Sequence, residues 1–229
     1  MLPFEEIWSN IIKIQEFNLP CNLKKTTKED NKLTFDDVVS LKNEFLMSTI
    51  DLAQNIDGLM TVYEDIDFTI RYKDEDSIKR NWENVRLTKP LNKTLNDILG
   101  MRFILKTKKD NLKKIVQEFI DSCPLGEDKC RFVNLEKEGY EGIHVYVMIR
   151  NNTFPLEVQF WTRTDALLNQ YLRDTIYARF DDSNIIRYAE HLLNWLEQIP
   201  LLDGKEPIKS YIDYLYEKAF HDEDDDTDV

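Results

Sequence analysis

The chain has 229 residues, 42% hydrophobic and 32% charged, with only 6 Gly and 7 Pro; this suits one sizeable folded domain with helical additions and excludes a fibrous or low-complexity chain. Its formal net charge is −13, and six of its 43 acids fall in the last ten residues, leaving −7 on the rest, which speaks against broad, sequence-independent nucleic-acid binding but not against a local basic pocket. Three cysteines (Cys21, Cys123, Cys130) without C-x-x-C spacing argue against a disulfide framework or a zinc site and fit a reducing compartment.

Taken in order, Phe4, Ile7, Trp8, Ile11 and Ile12 recur at helical spacing over residues 3–17. Residues 18–32 are polar and irregular and read as a linker. Thr34 and Asp37 form a capping-box-like start for a helix running toward residue 57, so residues 1–62 are expected to be a helical N-terminal extension. The period then changes. Ile66, Phe68, Ile70 and Tyr72 alternate with Asp67, Thr69, Arg71 and Lys73, as in a half-buried strand. A charged helix over 75–86 follows, then a strand over 101–106 opened by Gly100, and an amphipathic helix over 110–120. Residues 131–135 are a weaker strand candidate; 143–149 and 154–162 are stronger ones, joined at Asn151-Asn152 by a plausible hairpin turn. Helices are predicted over 165–178, 184–198 and 206–219, ahead of an acidic tail at 220–229 expected to be disordered. The layout is α+β: a mixed sheet of about five strands over a core at 63–180, flanked by N-terminal helices and by C-terminal helices at 181–219. With no signal-like segment and no apolar run of membrane-spanning length, a cytoplasmic protein is expected.

Four stretches put polar residues on strands, where a simple core would not. In Arg71-Tyr72-Lys73, alternation puts both cations on one face, ~7 Å apart, a spacing that suits a polyphosphate, although a solvated strand face explains it as well. In Asp97-Ile98-Leu99-Gly100-Met101-Arg102, a carboxylate precedes a strand-opening glycine; it is either a Mg²⁺ ligand or a turn residue. In Gly139-Tyr140-Glu141-Gly142-Ile143-His144, the glycines allow close backbone approach and Tyr140 offers a face for stacking a base. His144 is either a phosphate or ribose contact or a hydrogen-bonded core residue. In Glu157-Val158-Gln159-Phe160-Trp161-Thr162, an acid and an amide share a face of an otherwise apolar strand and require a partner there, either a metal or substrate or a salt bridge to Arg71 or Arg102. Together the four supply metal ligands, cations and a stacking surface, the inventory of phosphoryl transfer.

The order and spacing of these stretches resemble the RelA/SpoT synthetase domain, in particular the small single-domain alarmone synthetases. Arg71 to Ile78 is similar to the family's R-x-K-x-x-x-S-[IV], Asp97 to Arg102 to its D-x-x-G-x-R, Gly139-Tyr140 with His144 to its G-Y-x-S-x-H, and Glu157-Val158-Gln159 with Thr162 to its E-[IV]-Q-[IV]-R-T. The resemblance spans residues 65–177. It implies a GTP diphosphokinase that moves the β,γ-diphosphate of ATP onto the 3′-hydroxyl of GTP or GDP, making the alarmone (p)ppGpp. It further implies that Arg71, Lys73, Ser77 and Arg102 hold the ATP phosphates and that Asp97 and Glu157 hold Mg²⁺, Glu157 being also the candidate base. Tyr140 would stack on the acceptor's base, and His144 and Gln159 would position the acceptor. Small family members often assemble as homo-oligomers, and the C-terminal helices would serve that or simply cover the sheet.

The chain departs from the family pattern at several places. Asn81 stands where the family has a lysine, Gly142 where it has the serine of G-Y-x-S, and Trp161 where it has an arginine. Its W-A-x-x-E-H pattern falls on residues 168–173, where this chain has Leu168, Asn169, Leu172 and Arg173, and Leu135 to Glu138 replace the usual segment before G-Y. The departures bear on the acceptor more than on the chemistry. Two alternatives therefore stand beside alarmone synthesis: a toxin-type member acting on the 3′ end of tRNA or on adenosine nucleotides, and a binding protein that has lost turnover. Retention of both Asp97 and Glu157 argues against the second. His221-Asp222, in the acidic tail, is an accidental match to a hydrolase-like pair.

Overall fold

The computed structural model describes residues 2–29, 33–84, 86, 88–137, 140–171, 195 and 211–220. The helix predicted over 184–198 (residue 195 apart), the second half of that over 165–178, residues 206–210 and the tail from 221 to 229 lie outside the described residues, as do Gly139, Leu172 and Arg173.

Two helices open the chain, α1 (Phe4–Ile14) and α2 (Phe35–Met60). The Thr34 hydroxyl accepts the Asp37 N–H and the Asp37 carboxylate accepts the Thr34 N–H, so the anticipated capping box starts α2. That helix runs to Met60, three residues beyond the predicted end at 57. β1 (Ile66–Tyr72), α3 (Glu75–Asn84), β2 (Leu99–Leu105), α4 (Lys109–Asp121), β3 (Cys130–Lys137), β4 (Tyr140–Val147), β5 (Leu156–Thr162), α5 (Arg163–Tyr171) and α6 (Tyr211–Phe220) follow. The five strands form one mixed sheet in the order β1-β2-β5-β4-β3, with β2 and β5 parallel and every other pair antiparallel.

Strand alternation gives this sheet two unlike faces. On one, Phe68, Met101, Phe103, Ile143, Val145, Val158 and Phe160 share a core with Ile7, Trp8 and Ile11 of α1, Phe45 and Ile56 of α2, and Val116 and Phe119 of α4. Trp8 stacks on Phe119 with ring centroids 4.7 Å apart and donates its indole N–H to the Phe119 carbonyl at 2.8 Å. The N-terminal helices are thus part of the sheet's own core.

Residues 18–29, read as a linker, are pinned rather than loose. Leu19 and Leu23 are buried and donate their N–H groups to the Asn152 and Asn151 carbonyls in the β4–β5 connection, both at 2.7 Å. The apolar spacing of these two leucines is too sparse to register as an element.

The opposite face is polar and, among the described residues, only partly covered. At one end Ile104 and Trp161 pack with Ala166 of α5 and Tyr216 of α6 in a second, smaller cluster. The other end, toward Arg71 and Gly100, is not covered by that cluster. No helix among the described residues is long and apolar enough to cross a membrane.

Candidate active site

The strand register aligns the predicted residues in two cross-strand rows on the polar face. Arg71, Gly100, Glu157 and Tyr146 face one another across β1, β2, β5 and β4; one pleat along, Thr69, Arg102, Gln159 and His144 do the same. Glu157 is the centre of the arrangement. It is 5% exposed, and its Oε1 accepts from His144 Nδ1 at 2.9 Å while its Oε2 accepts from Gln159 Nε2 at 2.6 Å. Burial alone would push its carboxyl up; hydrogen bonds from His144, the His144 charge and hydrogen bonding from Tyr146 and Gln159 outweigh that and hold it below the ordinary value. The acid is therefore ionised at neutral pH, and its position is fixed from two sides.

A second tier fixes the first. Tyr140 Oη lies 2.7 Å from His144 Nε2. Burial pushes the Tyr140 phenol up to about 12, so it stays protonated at neutral pH and holds the far side of the ring whose Nδ1 meets Glu157. Gln159 Oε1 accepts from Arg102 Nε at 2.8 Å, and the Arg102 guanidinium carbon lies over the Trp161 indole, 3.5 Å from its centroid. His144, Gln159 and Arg102 are all buried. Three residues anticipated as substrate contacts thus also serve as supports of Glu157.

At the edge of the face, Lys73 lies just past the end of β1, and its ammonium donates to both Asp97 oxygens at 2.6 Å. The two side chains expected to hold phosphate and metal respectively are closed on each other. Arg71 is exposed. Gly100 matters because a Cβ there would sit 3.5 Å from Arg71 Cβ and 3.8 Å from Glu157 Oε2, so its absence leaves room beside the carboxylate. At the start of α3, Asp74 accepts the Ser77 N–H at 2.7 Å, and the Ser77 hydroxyl accepts from Arg80 at 2.9 Å.

Mg²⁺ takes hard oxygen ligands and commonly uses only one or two carboxylates, the rest coming from water and phosphate. Among the described residues no group of three or more His, Cys, Asp or Glu could cage a cation. The residues present fit the open kind of site: two carboxylates, one of them beside the space left by Gly100.

Sequence reasoning missed Tyr146 and Arg131. Tyr146 stands directly across from Glu157, and Arg131 lies over its ring at 4.5 Å. The signal was available: alternation within 143–149 puts Tyr146 on the same face as His144.

Two departures from the family pattern explain each other. A Cβ on Gly142 would lie 2.5 Å from Trp161 Nε1 and 2.8 Å from Cδ1, so the indole occupies the space that a serine would need. A third departure, Asn169, is buried and clamps the start of β4: its side chain donates to the Glu141 carbonyl at 2.7 Å and accepts the Glu141 N–H at 3.2 Å. Glu141 also pairs with Lys109.

Residues 70–177 match the family described as the region found in RelA and SpoT proteins. Over those residues the chain is of RelA/SpoT type. The described residues of the four predicted stretches lie on its sheet or at the ends of its strands, and the fold is that of small alarmone synthetases. The structure of small alarmone synthetase 1 from Bacillus subtilis bound to its product pppGpp matches with a TM-score of 0.50 at 16% identity, over 71% of this chain and 91% of that one. A second structure of small alarmone synthetase 1 from the same organism matches with the same TM-score and coverage at 18% identity. No curated protein matches this chain by sequence. At such identities the RelA/SpoT domain is recognised by its fold and by the ordered motifs on its polar face.

Proposed function

We propose that the protein transfers the β,γ-diphosphate of ATP to the 3′-hydroxyl of GTP or GDP. The observation that carries this reading is the buttressed Glu157 carboxylate, ionised and held opposite Arg71 across the gap at Gly100. A buried acid supported by a histidine, a glutamine and an arginine–indole stack, on a face its own core does not need, is organised for a ligand.

The acceptor's base stacks on Tyr140 and its 3′-hydroxyl is directed at Glu157. As the hydroxyl oxygen bonds to the β-phosphorus of ATP, Glu157 takes the hydroxyl proton. The bond from that phosphorus to the α,β-bridging oxygen breaks, and AMP leaves with the oxygen. Arg71 and Lys73 hold the β- and γ-phosphates, with Ser77 and Arg102 beside them. Lys73 must leave Asp97 to do so, and Asp97 and Glu157 are the residues that would hold Mg²⁺. When bound, Mg²⁺ supplies neutralisation of the charge on the transferring group. The protein's share is placement and a preorganised field.

A second reading, in which the acceptor is an adenosine nucleotide or the 3′ end of tRNA, is favoured by one observation: Trp161 and Gly142 rebuild the wall next to Tyr140. The test is ATP labelled on its terminal phosphate, offered with GTP, GDP, ATP and tRNA in turn. The first reading expects label on the guanosine nucleotides; label only on tRNA or on an adenosine nucleotide newly carrying a 3′-diphosphate would replace it with the second, and no labelled acceptor at all would contradict both.

A further inference from the structure

The two arms that fix Glu157 meet again behind it, at one indole. The first arm runs from Oε2 through Gln159 to Arg102, whose guanidinium carbon lies 3.5 Å from the Trp161 centroid. The second runs from Oε1 through His144 to Tyr140, whose ring meets the same indole in a T-shaped contact at 5.9 Å. Trp161 is buried one pleat beyond Gln159, where the register sets Asp67, Ile104 and Trp161 across β1, β2 and β5. Any shift of this indole therefore reaches both oxygens of the carboxylate.

The group that seats the indole comes from α6. Tyr216 is 1% exposed and packs in one cluster with Ile104, Trp161 and Ala166. Its own ring is fixed on several sides. Phe220, one helical turn on, stacks against it with centroids 4.6 Å apart, and the Arg163 guanidinium lies 4.9 Å from its centroid. The phenol is hydrogen-bonded to the Asp67 carboxylate, which Arg163 also approaches at 3.7 Å. Burial first, then the Asp67 charge and that bond, push the phenol up, so it remains a donor at neutral pH. A helix that only covered the sheet would need apolar contact and nothing more. Here α6 instead delivers an oriented aromatic ring tied to β1 and packed beside the β5 indole, and close-packed side chains pass displacement from one to the next.

We propose that Tyr216 is a positioning residue of the active site: by seating the Trp161 indole it sets Arg102 and Tyr140, and through them both hydrogen bonds to Glu157. The C-terminal helix is then part of the catalytic apparatus. The proposal rests on the reading of Arg102 as an ATP contact and of Glu157 as the base, so its test carries a separate readout for each.

An ATP analogue with a methylene group in place of the α,β-bridging oxygen is titrated calorimetrically into the wild type, Tyr216→Ala, Tyr216→Phe and Arg102→Ala, and turnover of ATP and GTP at saturation is measured below each melting transition. Tyr216→Ala should bind the analogue about fivefold more weakly and turn over about tenfold more slowly per folded molecule. Tyr216→Phe keeps the ring and loses only the hydroxyl, and should recover both to within about twofold. In a Trp161→Leu background Tyr216→Ala should add no further loss, because the indole is its route to the site. Tyr216→Leu, which keeps an apolar side chain against Ile104, takes the place of Tyr216→Ala if the latter does not fold. Wild-type affinity and turnover in the folded variant beside a weakened Arg102→Ala, or losses that add in full to those of Trp161→Leu, would overturn the proposal alone. Wild-type affinity in Arg102→Ala would overturn it together with the reading of Arg102 beneath it.

Discussion

Phe160 and Gln159 are neighbours on β5 and equally hidden from solvent, yet they belong to opposite regimes. On the face of Phe160, contact is with Phe103 and Phe119, and burial is sufficient reason for each residue to be there. On the face of Gln159, burial is a penalty that each side chain offsets through a named partner: Arg102 for Gln159, Gln159 and His144 for Glu157, Tyr140 for His144. Depth therefore does not separate core from site in this sheet. What separates them is whether a side chain's neighbours are interchangeable.

That contrast can be broken from either side. Glu157→Gln should lower diphosphate transfer by ~10³-fold or more, about 4 kcal/mol of transition-state stabilisation, while the denaturation midpoint falls far less than in a core truncation, because the amide still accepts from His144 and loses only the bond from Gln159. Phe160→Ala should do the reverse, costing about 3–5 kcal/mol in a denaturant titration while the folded fraction keeps its KM values. If Glu157→Gln instead unfolds the chain, or Phe160→Ala selectively kills activity, the two faces are not distinct in function.

A finer test addresses the wall that the two regimes share. Gly142→Ala should cost ~1–3 kcal/mol through its clash with the Trp161 indole, and that cost should largely vanish in a Trp161→Leu background. Additive losses in the double-mutant cycle would show that the two departures are unrelated.

The smallest effect contrasts two capping boxes built from the same residue types. At α2, Asp37 is exposed, and the backbone and side-chain bonds from Thr34 hold its carboxyl below the ordinary value. At α5, Asp165 accepts the N–H and the hydroxyl of Thr162 in the same way, but burial dominates and pushes it up to about 6. Because its folded value lies above the unfolded one of ~3.9, the folded chain keeps a proton that the unfolded chain has lost between pH ~4 and 6. Asp165 thus adds stability on the acid side of that window and loses it as pH rises through 6. Asp165→Asn should flatten stability across this range in thermal melts recorded from pH 4 to 7; an unchanged slope would place the titration elsewhere.

Much of this was legible in the sequence, and what escaped has a physical cause. The period-2 alternation of residues 66–72 and 154–162 shows which side chains share a face, because a strand's own geometry fixes that. The Thr34 cap and the amphipathic helix after residue 108 are local signals too. The partnership of Trp161 with Gly142 is not local. It depends on which strands pair and in what register, and the β2-β5-β4 order is set by packing of the whole sheet. For the same reason His144 could be read as a substrate contact or a core residue, and only the β4–β5 register shows it bonded to Glu157. The Lys73–Asp97 pair was likewise invisible, since each residue was read as reaching for a ligand rather than for the other.

The account rests most heavily on the nature of the group that moves, and ³¹P NMR of the wild-type protein with ATP, GTP and Mg²⁺ reads it without a label. A phosphomonoester signal from AMP should grow in equal amount with a new pair of diphosphate signals on the acceptor's 3′ position. Growth of ADP and orthophosphate instead would contradict diphosphate transfer at the Glu157 face.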